Sequence, residues 1–230
     1  MKIDGRRLKL LSIGRVPVRW HRPIEGKIKT VRIIKKAGKW YGCFACEVEP
    51  KPLPSTGKDV AIDVGINSLI TTSDGDQVEN PRWDRNQQRK LRILQRRVAR
   101  KKLGSYNRRK AVLALQRQHQ HRSNSRKDFL DKLVYKLITS YDRIALEDLR
   151  ITNMVRNHKL GKSILDAGWG YLIQRLLDKA EEAGRVVTLV NPAFTSKKCN
   201  ACGYIFEHLS LKDRWINCSC GFSGCRVGQC

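Results

Sequence analysis

The chain has no apolar run approaching the roughly 18 residues of a membrane-spanning helix, and its N-terminus lacks the apolar segment of a secretory signal. These absences predict a soluble cytoplasmic protein with no membrane partner. Acidic residues are also scarce: 21 Asp and Glu stand against 47 Lys and Arg, a formal net charge of +26. Such an excess calls for a polyanion that neutralises it, so nucleic acid is the expected partner and a nucleoid-associated place in the cytoplasm the expected address. At 230 residues the chain can bury a real core, and one principal domain with small appendages is expected. Eight cysteines in a cytoplasmic protein point to metal more than to disulfides.

Residues 1–50 alternate apolar and basic residues, as in Val16-Pro17-Val18-Arg19-Trp20, Ile28-Lys29-Thr30-Val31-Arg32-Ile33 and Trp40-Tyr41-Gly42-Cys43-Phe44. Turn signals at Pro23, Gly26 and Ala37-Gly38 separate the runs, which predicts a small antiparallel β unit with one basic face. Three or four strands seldom stand alone, so this segment reads as the tail of a longer domain. Cys43 and Cys46 have CxxC spacing, but strand alternation turns them to opposite faces. The proline-rich residues 51–57 predict a stiff linker and a domain boundary.

Val60-Ala61-Ile62-Asp63-Val64-Gly65 is a short apolar run with a carboxylate inside it, and Ile144-Ala145-Leu146-Glu147-Asp148-Leu149 repeats the pattern. Both read as core strands. A carboxylate leaves water only if it is paired, hydrogen-bonded or bound to metal, so Asp63 either takes bonds from neighbouring amides or serves a divalent cation. Two acids at the ends of two core strands can converge on one Mg²⁺, the layout of metal-assisted phosphodiester cleavage, though such sites usually need a third or fourth acid. Asp148 is a poor substitute, since adjacent strand residues face opposite ways.

After the Asp63 strand, strands at 69–72 and 77–79 complete an antiparallel meander. From 82 to 127 there are 17 Lys or Arg and one acid, Asp84. Leu91, Leu94, Val98, Ala111, Val112 and Leu115 recur at helical spacing, with a break at 103–107, predicting a helical hairpin held along an apolar stripe. Solvated faces normally mix signs, so this hairpin is predicted to contact nucleic acid through Arg89, Arg92, Arg96, Arg97, Arg100, Lys101, Lys102, Arg108, Arg109 and Lys110. His119 and His121 at its end read as ordinary surface histidines. A third helix carrying Phe129, Leu130, Leu133, Leu137 and Ile138 is expected next, then the Glu147 strand and a mobile polar loop at 152–158. Ser163 is expected to cap a helix running through Trp169 and Leu176 to a stop at Gly184, followed by a buried strand at 185–190. That order gives an α/β fold with a mixed sheet covered on its faces.

Cys199-Asn200-Ala201-Cys202-Gly203 and Cys218-Ser219-Cys220-Gly221 place two cysteine pairs, each followed by glycine, on two turns. The pattern suits a structural Zn²⁺ bound by Cys199, Cys202, Cys218 and Cys220, with free or disulfide-bonded thiols as the alternative. The second pair has one intervening residue in place of two, and Cys225 is a possible substitute ligand. Lys212, Arg214 and Trp215 between the pairs are further candidates for nucleic-acid contact.

Asp63 in Ala-Ile-Asp-Val-Gly-Ile, the arginine-rich hairpin, Glu147 in Ala-Leu-Glu-Asp-Leu, and Asn191-Pro192-Ala193-Phe194-Thr195-Ser196 leading into Cys-Asn-Ala-Cys-Gly together resemble the TnpB (OrfB) family of transposon-encoded RNA-guided DNA endonucleases. The resemblance implies an RNase H-like (RuvC) mixed sheet at 58–192 with the basic hairpin 82–127 inserted. It implies a zinc ribbon at 193–222, and at 1–50 a partial wedge-like β domain that helps to grip guide RNA. It also implies Mg²⁺ at Asp63 and Glu147, and DNA and guide RNA as partners. Residues 223–230 depart from the family pattern: they carry no acid where the family has its third metal-binding Asp. The chain therefore reads as a copy trimmed at the front and altered at the end, as by a frameshift, with impaired cleavage expected. The competing expectation is a non-catalytic nucleic-acid-binding zinc-ribbon module. A basic zinc-ribbon protein of ribosome-like assemblies explains charge and cysteines but not the two embedded acids.

Overall fold

Alternating apolar and basic residues produce strands throughout the first of two units into which the chain divides, Met1–Glu49 and Pro50–Cys230. The computed structural model describes residues 2–11, 13–192, 198–199, 201–206 and 215–225. In the first unit, β1 (Lys2–Asp4), β2 (Arg7–Leu10) and β3 (Gly14–Pro17) form an antiparallel sheet, while β4 (Lys27–Lys36) and β5 (Lys39–Glu47) pair as a separate hairpin. Among the described residues of this unit Leu8 alone is fully buried, and Trp20 packs on Phe44 with ring centroids 5.6 Å apart. Instead of one small sheet there are two, because the turn-rich stretch around Pro23 and Gly26 interrupts pairing between β3 and β4.

The second unit is built on a five-stranded mixed sheet of β6 (Asp59–Val64), β7 (Ser68–Thr72), β8 (Gln77–Glu79), β9 (Arg143–Glu147) and β10 (Val186–Val190), in the order β10-β9-β6-β7-β8. β6, β7 and β8 are the antiparallel meander; β9 and β10 add in parallel on the other side of β6. Five helices accompany the sheet: α1 (Trp83–Ala99), α2 (Tyr106–Ser140), α3 (Ile151–Met154), α4 (Gly161–Ala167) and α5 (Trp169–Ala183). One sheet face, carrying Val60, Ile62, Ile144 and Leu146, is buried in a common core with Leu130, Leu133, Val134, Leu137 and Ile138 of α2, Ile164 of α4, and Trp169, Leu172 and Leu176 of α5. Burying each such side chain is worth roughly 1.5–3 kcal/mol before conformational entropy is subtracted.

The helices differ from the sequence reading in three places. Where a hairpin helix and a separate third helix were expected, α2 runs unbroken for 35 residues. No glycine or proline interrupts 106–140, and the polar Ser125 satisfies itself by donating to the His121 carbonyl inside the helix. Its first half packs on α1, where the buried Gln118 amide donates to Gln87 at 2.8 Å; its second half packs in the core. Conversely, the single helix expected from 163 to 184 is two helices, broken at Gly168 (φ 74), and Ser163 lies inside α4 rather than capping it. Gly184 (φ 66) does end α5. The stretch 152–158, read as a loop, contains most of α3 and hydrogen-bonded turns, including Gly161 N donating to Asn157 O at 2.7 Å. β10, read as buried, is an edge strand paired with β9 alone, and Val186 and Val190 are 54% and 42% exposed.

Residues 51–57 lie along the second unit. Lys51 N and Leu53 N donate to Glu182 O and Ala183 O, and Arg185 donates to Pro54 O at 2.8 Å. Asp142 gathers the rest: Ser55 hydroxyl, Thr56 amide and hydroxyl, Gly57 amide and Arg185 guanidinium all donate to its carboxylate. These bonds, that of Ser55 first, hold its carboxyl well below the usual carboxylate range.

Among the described residues no helix is long and apolar enough to cross a membrane. At Gly168 the left-handed turn is also crowded, because a Cβ there would meet Arg126 Cδ at 3.0 Å and Leu130 Cδ1 at 3.2 Å. Gly168→Ala is expected to cost about 1–2 kcal/mol from the left-handed backbone alone. Thermal denaturation should show Tm lower by roughly 2–8 °C; an unchanged Tm would mean that the break is not held in this conformation.

Candidate functional site

β6 and β9 run parallel in the register Ala61↔Ala145 and Ile62↔Leu146. One step past that last pair stand Asp63 and Glu147, and side-chain alternation puts both on the face opposite the buried Ile62 and Leu146. Neighbouring strands are about 4.8 Å apart, so the two carboxylates share one small area of the sheet. Both are half-buried. Burial raises the Asp63 carboxyl above its usual range, the Glu147 charge raises it further, and the Val64 amide opposes the shift. Two like charges side by side, partly desolvated, form a site that a divalent cation would relieve. The chain leaves β6 through Gly65, where a Cβ would meet Ser68 O at 2.7 Å, so the turn into β7 closes tightly beside Asp63. Asp148 is exposed, and its amide donates to Val190 O. Among the described residues no third His, Cys, Asp or Glu joins Asp63 and Glu147 in a metal-sized group.

The cysteines do form such a group. The sulfurs of Cys199, Cys202, Cys218 and Cys220 all lie within 4.8 Å of one another, with Cys199 to Cys220 at 3.7 Å and Cys202 to Cys218 at 3.5 Å. A tetrahedron with Zn–S bonds of 2.3 Å has edges of about 3.8 Å, so the four thiolates could hold a metal such as zinc. Each pair sits on a turn: Gly203 N donates to Cys199 O and Cys199 N to Tyr204 O, while Gly221 N donates to Cys218 O and Cys218 N to Phe222 O. Without metal the thiols compete for protons. The Cys220 amide brings Cys218 down to about 7. At Cys202 the Tyr204 amide favours the thiolate, but the neighbouring thiols, Cys218 first, prevail and hold it up at about 12. β11 (Trp215–Asn217) and β12 (Ser223–Cys225) pair next to the second turn. Trp215 is 62% exposed, whereas Lys212, Arg214, the Cys225 side chain and the 193–197 part of the motif before Cys199 lie outside the described residues.

The basic hairpin presents all ten cations singled out in the sequence to solvent, Arg108 half-buried and the others exposed. On α1 a groove of about 510 Å³ is lined by Arg85, Gln88, Arg89, Arg92, Ile93 and Arg96. Two cations of the same stretch serve a different purpose, which pattern reading missed. Arg122 pairs with Asp84, and Arg126 with both Asp84 and the buried Asp166, whose carboxylate also accepts from the Asp84 amide at the start of α1. Arg126 lies over the Trp83 ring at 5.6 Å, and Trp83 meets Phe129 edge-on. This cluster fixes the root of the hairpin to α4. Asp166, a lone acid at a core position of a short helix, was the available signal.

A family model named OrfB_IS605 and described as "Probable transposase" matches residues 43–158, half of the chain, and the Cas12f1-like TNB domain model matches residues 169–226. A Streptomyces pristinaespiralis protein provisionally named an RNA-guided DNA endonuclease is 37% identical over 208 residues, 89% of this chain and 52% of that protein. An Escherichia coli K12 protein, provisionally named RNA-guided DNA endonuclease InsQ, is 30% identical, covering 94% of this chain and 58% of its own. The chain thus spans about half the length of these curated relatives. Among solved structures, the cryo-EM Cas12f1–sgRNA–target DNA complex aligns with TM-score 0.52 and 14% identity over 86% of this chain and 54% of that one, a likeness of fold.

Elemental analysis is expected to find one zinc per chain, and Cys199→Ala is expected to remove it. Cobalt-loaded protein should show the thiolate charge-transfer bands of an all-sulfur site; their absence would break the ligand assignment. At Asp63 the raised folded pKa means that ionisation costs stability: the cost is absent below the unfolded value near 4 and complete above the folded one. Asp63→Asn is therefore expected to raise Tm at pH 7–8 in magnesium-free buffer, with the gain fading towards pH 4. A lower Tm at pH 8 would mean that the carboxylate is stabilised by its surroundings.

Proposed function

The chain belongs to the OrfB (TnpB) family of probable transposases, and from that premise we propose that it works on DNA as an RNA-guided, Mg²⁺-dependent endonuclease of weakened activity. The observation that carries this reading is the pair Asp63 and Glu147 on one face of adjacent parallel strands. The order β10-β9-β6-β7-β8, with its antiparallel meander and two added parallel strands, supports an RNase H-like, RuvC-type core over residues 58–192. In this reading residues 1–50 are a wedge-like β domain, 51–57 a connector, and 193–222 a zinc ribbon held by Cys199, Cys202, Cys218 and Cys220. The partners are guide RNA and target DNA, which puts the protein at the nucleoid.

Asp63 and Glu147 would hold the cation, which when bound activates water and stabilises charge on the cleaved phosphate. The half-buried position of the two acids keeps bulk water from screening them, and the tight Gly65 turn fixes the end of the Asp63 strand. Arg89, Arg92, Arg96 and their neighbours would bind phosphates and steer the polyanion. Two carboxylates alone bind Mg²⁺ poorly and position water loosely, and loose positioning by itself can reduce the rate on the order of 10²-fold. With no third acid joined to them among the described residues, this reading expects weak cleavage.

A second reading, a nucleic-acid-binding module without catalysis, draws on the same exposed cations together with the absence of a third ligand among the described residues. One experiment separates the two. With Mg²⁺ the chain is expected to nick supercoiled DNA slowly, and Asp63→Ala to abolish the activity. Equal nicking by that variant would refute the site. Tight, strongly salt-dependent binding with no nicking at any Mg²⁺ concentration would establish the second reading.

A further inference from the structure

The tip of the basic hairpin is not uniformly polar. Between α1 and α2 the loop 100–105 exposes Leu103 at 79%, and Tyr106, the first residue of α2, is exposed at 69%. The Lys110 ammonium lies over the Tyr106 ring, 4.6 Å from its centroid. Arg100, Lys101, Lys102 and Arg109, close by in the chain, are exposed. The loop and the start of α2 hold their shape through Ser105, whose hydroxyl accepts from the Arg108 amide and donates to Lys102 O.

A tip that only tracked phosphates would gain nothing from a leucine and a tyrosine held in water. An aromatic ring backed on one face by a cation offers its other face to a flat π-system, and the same ammonium can reach a phosphate next to it. In a paired duplex the base faces are covered by their neighbours, so the chemistry that fits is an unpaired base on a negatively charged strand. We propose that the hairpin tip is a base-stacking site for single-stranded nucleic acid: an unpaired base stacks on Tyr106 beside Leu103, and Lys110 meets the flanking phosphate. This rests on the nucleic-acid reading above and adds to it a contact made through the base rather than the backbone.

The test is titration of the full chain with a labelled single-stranded oligonucleotide of mixed sequence, and with its duplex, over a range of salt. Tyr106→Ala is expected to weaken single-strand binding roughly 5- to 150-fold, the span of one base–aromatic stack. Its log–log salt slope should be unchanged, since no charge is lost, and Tyr106→Phe should restore affinity. Lys110→Gln should instead flatten the slope by about 0.7. Duplex binding should be the same for Tyr106→Ala and wild type. Single-strand binding by Tyr106→Ala within twofold of wild type, or an equal loss on duplex, would overturn the stacking site. If wild type showed no salt-dependent binding to either probe, the nucleic-acid reading itself would fall, and the tip with it.

Discussion

Parallel pairing of β6 with β9 puts two carboxylates next to each other on a half-buried surface, and much of the second unit serves to keep that pairing in register. A slip of one residue would turn Asp63 into the core and Ile62 out of it. The buried face of the same strands prevents this. Val60, Ile62, Ile144 and Leu146 lock into α2 and α5, and that packing outweighs the repulsion on the opposite face. The Asp142 hub holds the chain just before β9 to the chain just before β6, so both strands leave one common anchor.

The chain's overall charge has the opposite sign, +26 net, and its cations concentrate on a hairpin rooted by Asp84, Arg122, Arg126 and Asp166. Within that cluster arginines are neutralised; beyond it, on α1 and at the tip, they face solvent. Folding therefore separates the cations that hold the hairpin in place from those left free for a polyanion. The cysteine cluster adds a second local constraint, four sulfurs drawing two turns together.

Much of this was legible as pattern. The apolar runs ending at Asp63 and Glu147 are strands, the stripe from Leu91 to Leu115 pairs two helices, and cysteine spacing foretold a four-sulfur group. What escaped depends on contacts between distant residues. Ser55 and Asp142 are 87 positions apart, and Asp84 and Asp166 are 82 apart; neither pair leaves a periodic trace. The break at Gly168 was hidden because helical periodicity continues on both sides, and the Arg126 and Leu130 side chains that crowd the turn come from a distant part of the chain. β10 looked buried because its composition is apolar, yet its place at the sheet edge decides its exposure.

The central claim is that Asp63 and Glu147 act as one cation site. Its most direct test is a Mn²⁺ titration followed by the EPR signal of the free ion, on wild type, Asp63→Ala, Glu147→Ala and the double variant. If the two acids share the ion, wild type takes up Mn²⁺, each single variant loses that uptake, and the double variant loses no more than either. Undiminished uptake by both single variants, or losses that simply add, would contradict a shared site.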